Sequence, residues 1–300
     1  LMRSSAASDV YKRQVLIGGR RSIKEISMST FYNSERLKYN QMNYNNDVEL
    51  DNFCSQCLLV INAVGPSFKI NDKIALHALR NNCHYIDIGG YGILRDLLKP
   101  YEKSIEAQKL CFIIGVGWMP GISGVFSKTI IETHLNSPEN TNFNIYYGAV
   151  DNWSYSSTYD LAASSMGKTR SYVYSHGKEI QVSPFRYTHH KFFPFIGHKK
   201  ICMPSFDEQL TQLATSLKQI RKISTFIMLN DYISMGKFMF IKIFYKHNLN
   251  KATLMLQDDY QRLVKKENKW GSVICQVSKI EPERKIDTFY LSLIHISEPT

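Results

Sequence analysis

Three glycine-bearing loops, VINAVGP (60–66), HYIDIGG (84–90) and GVGWMPGISG (115–124), constrain this chain more than any other feature. Each follows a short apolar run of strand character, and helical patterns link the runs. Strands alternating with helices make a parallel sheet, and open α/β sheets bind ligands in the loops at the carboxyl ends of their strands. The run 58–63, apolar apart from Asn62, predicts a strand buried on both faces. Gly65 and Pro66 end it in a tight turn. Residues 72–82 carry helical periodicity, with Ile74, Ala75, Ala78 and Leu79 on one side. The next strand, 84–88, has Asp87 at its carboxyl end, where an acid can face a ligand or cap the helix expected over 91–110. The strand 110–114 then leads into the third loop, where Pro120 is suited to the first turn of a helix and the glycines permit close packing against a flat ligand.

Upstream, VLIGG (15–19) is a strand ending in Gly18-Gly19-Arg20-Arg21. The stretch 33–52 is poorly patterned, and neither Asp47 nor Asp51 can be assigned a position in a strand end. Beyond about residue 132 the pattern changes. Strands are expected at 143–150 and in WGSVICQVSKI and KIDTFYLS, with a hairpin over 171–182 around Gly177 and helices over 160–165 and 207–222. The apolar segment 223–245 is broken by Asn230, Asp231, Lys237 and Lys242, so it does not read as a membrane span. A buried or lid helix is preferred there, with an interfacial helix bearing Lys237, Lys242 and Lys246 as the other reading. Membrane contact is therefore not expected.

A hydrophobic content of 44% suffices for packed cores, and 300 residues suggest two domains. The chain is basic, with 37 Lys and Arg against 26 Asp and Glu, but these charges are scattered rather than clustered, so nucleic acid is not an expected partner. Cys54 and Cys57 form a lone CxxC without a second pair at metal spacing, so no metal site is expected. The cysteines read as buried reduced thiols, which places the protein in a reducing, cytoplasmic compartment. Residues 4–14 and 291–300 continue neither neighbouring pattern and read as translated sequencing-adapter sequence. The organisation expected is thus 15–134 as one domain and 135–290 as another, with 1–14 and 291–300 set aside.

In their order, the three loops resemble the saccharopine dehydrogenase (saccharopine reductase-like) family of NAD(P)-dependent oxidoreductases. The resemblance implies an α/β fold: a Rossmann-like parallel sheet, then an α+β substrate domain that often dimerises. The first strand and the phosphate-binding glycine turn of such a domain are not found upstream of Val15. The cofactor residues it implies are Gly19, Arg20, Arg21, Ala63, Gly65, Pro66, Gly89, Met119, Pro120 and Gly121. An acid at the end of the second strand would bond the ribose of NAD, whereas Arg20 suits the 2′-phosphate of NADP, so NADP(H) is expected ahead of NAD(H). Asp87, Tyr85 and Tyr91 are the candidate proton handlers, and Ser123 is a candidate for hydrogen bonding or capping.

The activity implied is hydride transfer at a C–N bond of a small, carboxylate-bearing amino or keto acid derivative. Lys168, Arg170, Arg186, Tyr155 and Tyr159 could line such a cleft, while His189 and His190 read as surface residues. Two other readings compete. One is an enoyl or lipid-type reductase, with 223–245 as lid or membrane contact. The other is a non-catalytic nucleotide-binding module, against which Arg20, Pro66 and the 119–121 turn argue.

Overall fold

In the computed structural model, residues 14–27, 37–89, 92–134, 141–166, 172–205, 208–216, 220–279 and 286–292 are described. They divide into two compact units. The first holds the chain up to Ala63, Ile70–Ile88 and Ile93–Ile114; the second holds Val64–Lys69, Gly89–Gly92 and the chain from Gly115 onward.

The first unit is α/β. Strand β1 (Val15–Gly19) leads through a short helix α1 (Ile23–Ser27) to β2 (Leu37–Gln41), which pairs with it in parallel so that Gly19 stands beside Gln41. Helix α2 (Asp47–Cys54) follows, capped by Asn46, whose side chain accepts from Val48 N and Glu49 N. Asp47 and Asp51 therefore lie on a helix and not at a strand end. Asp47 pairs with Lys73 at 2.7 Å, and Asp51 meets His77 Nδ1 at 2.6 Å, which joins α2 to α4. After β3 (Leu59–Asn62) and the one-turn helix α3 (Ser67–Ile70) come α4 (Lys73–Arg80) and β4 (His84–Asp87). Ile74, Ala75, Ala78 and Leu79 of α4 are buried, as their spacing predicts.

The helix expected over 91–110 is two helices, α5 (Gly92–Leu98) and α6 (Glu102–Ala107), separated by a 3₁₀ turn at Lys99–Tyr101. Pro100 lies in that turn; it lacks an N–H, and its ring disfavours continuing the first helix. Strand β5 (Phe112–Ile114) completes a parallel sheet in the order β3-β4-β5, with Asn62 beside Asp87 and Asp87 beside Ile114.

Burial of β3 on both faces is not what the structure shows. Val60 and Asn62 are buried, but Leu59 is 41% and Ile61 60% exposed. Ile113, on the same face by register, is exposed as well. Sequential strand order explains this. Right-handed crossovers through α4 and through α5–α6 advance in one direction and so cover the same face.

The second unit contains α7 (Ile122–His134), β6 (Thr141–Val150), α8 (Tyr155–Met166), the hairpin β7 (Tyr172–Ser175) and β8 (Lys178–Gln181), α9 (Pro184–Tyr187), β9 (His189–Phe193) and β10 (His198–Ser205). Then follow α10 (Glu208–Ser216), β11 (Ile220–Leu229), α11 (Tyr232–Phe244), α12 (Leu249–Val264), β12 (Trp270–Lys279) and β13 (Ile286–Ser292). The strands form a mixed sheet, β13-β12-β6-β11-β10-β9, with the β7–β8 hairpin paired to β11. Among the described residues of this sheet, only the β6–β11 pairing is parallel.

One face of this sheet packs Phe143, Ile145, Ile223, Val273 and Cys275 against Ile130 and Ile131 of α7 and Leu210 of α10. The other face gathers Tyr146, Phe193, Cys202, Phe226 and Ile274. A further core joins α8, α11 and α12 to Ile201, Met203 and Leu229.

Two expectations are corrected here. The helix read over 207–222 ends by Ser216, and Ile220–Lys222 open β11. The segment read as one helix over 223–245 is the rest of β11, buried along nearly its whole length in the middle of the sheet, followed after Asn230 by α11, which Asp231 caps. Strand β13 runs through Leu291 and Ser292, which pair with Val273 and Ser272.

Candidate functional site

Because β3, β4 and β5 run parallel and in register, three loops leave one edge of their sheet: the chain after Asn62, the chain after Asp87 and the chain after Ile114. At that edge stands a buried polar cluster. The Tyr85 hydroxyl donates to Asp87 Oδ2 at 2.6 Å, and Asn62 Nδ2 donates to the same oxygen at 2.7 Å. All three side chains are buried. Burial, and then the adjacent Asp87 carboxylate, pushes the Tyr85 phenol well above its usual range, so Tyr85 stays protonated and acts as a donor. Asp87 is thus an acceptor held by two side-chain donors. Tyr91, the third candidate proton handler, lies outside the described residues, and Gly89 is half-buried just beyond β4.

Arg20 and Arg21 follow β1 directly and are exposed. Their backbone is fixed by β2: Gln41 Nε2 donates to Arg20 O at 3.3 Å, and the Tyr39 hydroxyl donates to Arg21 O at 2.7 Å. Gly19 permits this, since a Cβ there would stand 2.9 Å from the Tyr39 oxygen. Among the described residues neither guanidinium has an ion pair. Two cations are therefore displayed at the carboxyl end of β1, on a pinned backbone.

The loop after β3 is assembled within the second unit. Ala63 is exposed and Pro66 buried. Gly65 precedes a cis bond to Pro66 and packs on α8, where a Cβ would come within 2.8 Å of Ser156 Cβ. Asp160, one turn further along α8, accepts from Ser67 N at 2.9 Å and from Phe68 N at 3.1 Å. Lys69 Nζ lies 4.4 Å from the centre of the Tyr159 ring. The turn is held by a carboxylate more than ninety residues away in sequence.

The third loop is held by its own backbone. Ile122 N donates to Gly117 O and Ser123 N to Trp118 O, while Gly121 N reaches Gln209 Oε1 at 2.9 Å. The first amides of α7 are consequently occupied, and this helix start is not an open anion site. Gly121 has φ +127°, and a Cβ on it would lie 2.2 Å from Gly117 O. Pro120 follows a cis bond and sits before the helix rather than in its first turn, because α7 begins at Ile122. Trp118 and Met119 pack on the unit's main core, and Ser123 is fully buried.

The cysteines are all free. Cys54 and Cys83 are buried, and the Cys83 thiol donates to the carbonyls of Cys54 and Cys57. Burial, then the neighbouring thiols, pushes Cys54 up to about 12, which leaves it an unreactive thiol. Cys111, read as buried, is exposed. No group of three or more metal-binding side chains occurs among the described residues.

Compared with solved structures, the chain superposes on apo saccharopine dehydrogenase (L-Glu forming) from Saccharomyces cerevisiae with a TM-score of 0.59 and 14% identity, covering 93% of this chain and 79% of that one. The fold is that of a saccharopine dehydrogenase. Two other neighbours superpose more loosely. An engineered D-amino acid dehydrogenase bound to NADP+ gives a TM-score of 0.40 at 8% identity, over 93% and 83% of the chains. A meso-DAPDH mutant from Clostridium tetani E88 gives 0.37 at 11% identity, over 94% and 75%. No protein-family model and no curated protein matches the sequence.

Within this dehydrogenase-like fold, the other residues proposed for a cleft are dispersed. Arg186 is exposed on α9, Tyr155 donates to Asn250 at 2.9 Å, and Tyr159 is buried. Lys168 and Arg170 lie outside the described residues. His189 Nδ1 meets the Tyr187 carbonyl, and His190 meets the Tyr232 hydroxyl at 2.8 Å. Sequence reading passed over Asn62, Asp160 and Gln209, three polar side chains that fix the loops. Asn62 carried a visible signal, a polar residue inside an apolar strand. The other two act only through tertiary contacts.

Proposed function

We propose that this protein is an NADP-dependent oxidoreductase acting at a C–N bond of a small, carboxylate-bearing substrate. The observation that carries the reading is the edge of the β3-β4-β5 sheet, from which three glycine-bearing turns leave in register beside a buried Asn62–Tyr85–Asp87 cluster. Such an edge is where open α/β sheets hold dinucleotides. The dehydrogenase-like fold supports the same assignment.

Arg20 favours NADP over NAD: an exposed guanidinium without an ion pair among the described residues suits a phosphate, whereas an NAD site would present an acid to the ribose. When bound, the reduced nicotinamide supplies hydride. The chain's own residues position the partners and handle one proton. Asp87 is the proposed proton handler. Tyr85 stays protonated and orients it, and Gly65, Pro66, Gly89 and the Met119–Gly121 turn would line the cofactor. A cytoplasmic location accords with six free thiols.

The full-length protein should oxidise NADPH when given an oxo acid together with an amine. Oxidation only with enoyl thioesters would transfer the assignment to a lipid-type reductase, and NADPH binding without turnover on either would mark a non-catalytic module. Asp87→Asn should lower turnover by about 10²- to 10⁴-fold while leaving NADPH affinity nearly unchanged. A fall in melting temperature with unchanged turnover per folded molecule would make Asp87 purely structural.

A further inference from the structure

Helix α11 is apolar on both of its faces. Its inner side, Phe238 and Ile241, packs into the core shared with α8 and α12. Its start is fastened by Asp231, which accepts from Ser234 N and pairs with Arg262 at 2.7 Å, and by Ser234 Oγ donating to Asp259 at 2.6 Å. The outer side carries Tyr232, Ile233, Phe240, Ile243 and Phe244, all exposed, the last two by 65% and 66%. At 100° per residue these fall on one continuous stripe. The neighbouring helix α12 shows the ordinary arrangement, with Asn250, Lys251, Asp258 and Gln261 outward and Leu254 the lone large apolar exception.

A firmly held helix with an apolar outer stripe implies an occupant for that stripe. Charge selects which one. Between Asp231 and Asp258 the sequence contains no acid, but it contains Lys237, Lys242, Lys246, Lys251 and His247. Lys237 is paired with Asp258 and Asp259. Lys246, His247 and Lys251 are exposed at the end of α11 and the start of α12, with no ion pair among the described residues. A second copy of the chain docked on this stripe about a two-fold axis would bring two such basic clusters together, which like-charge repulsion opposes.

We propose that the outer stripe of α11 seats this protein on an anionic lipid surface. Ile233, Phe240, Ile243 and Phe244 enter the headgroup boundary, and Lys246 and Lys251 meet the acidic headgroups. The contact is peripheral: no described helix is long and apolar enough to cross a membrane. It takes up the interfacial-helix reading of 223–245 in place of the buried or lid helix preferred from sequence, on a shorter helix that starts at Tyr232. It does not depend on the cofactor assignment, because every residue it uses lies on α11, α12 and the connection between them.

The test is co-sedimentation of the full-length protein with phosphatidylcholine vesicles, with and without phosphatidylserine. Binding should require phosphatidylserine and weaken as salt is raised. Ile243→Ser combined with Phe244→Ser should reduce binding by about tenfold or more, as should Lys246→Glu combined with Lys251→Glu. Both pairs are exposed, so their melting temperatures should match the parent's. Failure to bind phosphatidylserine vesicles, or binding that ignores both double variants, would overturn the proposal. So would concentration-dependent self-association abolished by Ile243→Ser with Phe244→Ser, which would make the stripe a self-docking face.

Discussion

Two glycine turns in the second unit reach rigidity by opposite routes. The turn at 115–121 closes on its own backbone, with Ile122 N on Gly117 O, Ser123 N on Trp118 O, and Gly121 in a conformation closed to side chains. The turn at 64–69 instead directs the first amides of α3 to the Asp160 carboxylate on α8. The first is chiefly a local solution, to which Gln209 Oε1 adds a tertiary acceptor for Gly121 N, and the second is a tertiary one. What differs is where a mutation must fall to loosen each turn.

The largest effect should follow from Gly121→Ala. The new methyl group would combine a disfavoured φ with a backbone oxygen at 2.2 Å, so stability should fall by at least about 3 kcal/mol in urea denaturation. A loss below about 1 kcal/mol would mean that the turn opens freely and that its self-closure is not what holds it. Asp160→Ala should come next, at about 2 to 3 kcal/mol, because two amides lose a charged acceptor. Asp160→Asn should cost less, since its carbonyl retains one of them. The direct readout is amide exchange at Ser67 and Phe68, which should accelerate in Asp160→Ala but not in Gly121→Ala. Equal acceleration in both variants would dissolve the distinction between the two turns.

This division also explains what could be read from sequence. The strands at 15–19, 59–62, 84–87 and 112–114 were visible because short apolar runs closed by a glycine or a polar residue have a local cause. The hairpin at Gly177 was visible too, since His176 and Gly177 take up the left-handed backbone that such turns demand. Strand β2 was obscured because Lys38, Asn40 and Gln41 give it a polar cast, and its pairing with β1 is a long-range event. The exposed face of Leu59 and Ile61 depends on the side chosen by two crossover helices, which no strand sequence records. Lys222 and Ser224 interrupt the apolar run of β11, and the helical pattern before it appeared to continue. Of the candidate site, the motif-bearing glycines and Asp87 were legible; Asp160 and Gln209 were not, because each acts on a backbone some ninety residues away.

The central claim is that a nucleotide carrying a 2′-phosphate is bound beside β1. Titration of NADPH and NADH, by calorimetry, into the full-length protein and its Arg20→Ala variant tests it most directly. Loss of a charge-assisted contact should weaken NADPH by about 1.5 to 3 kcal/mol, roughly ten- to a hundredfold, and leave NADH almost unchanged. Equal losses for both nucleotides, or no loss for either, would contradict the account.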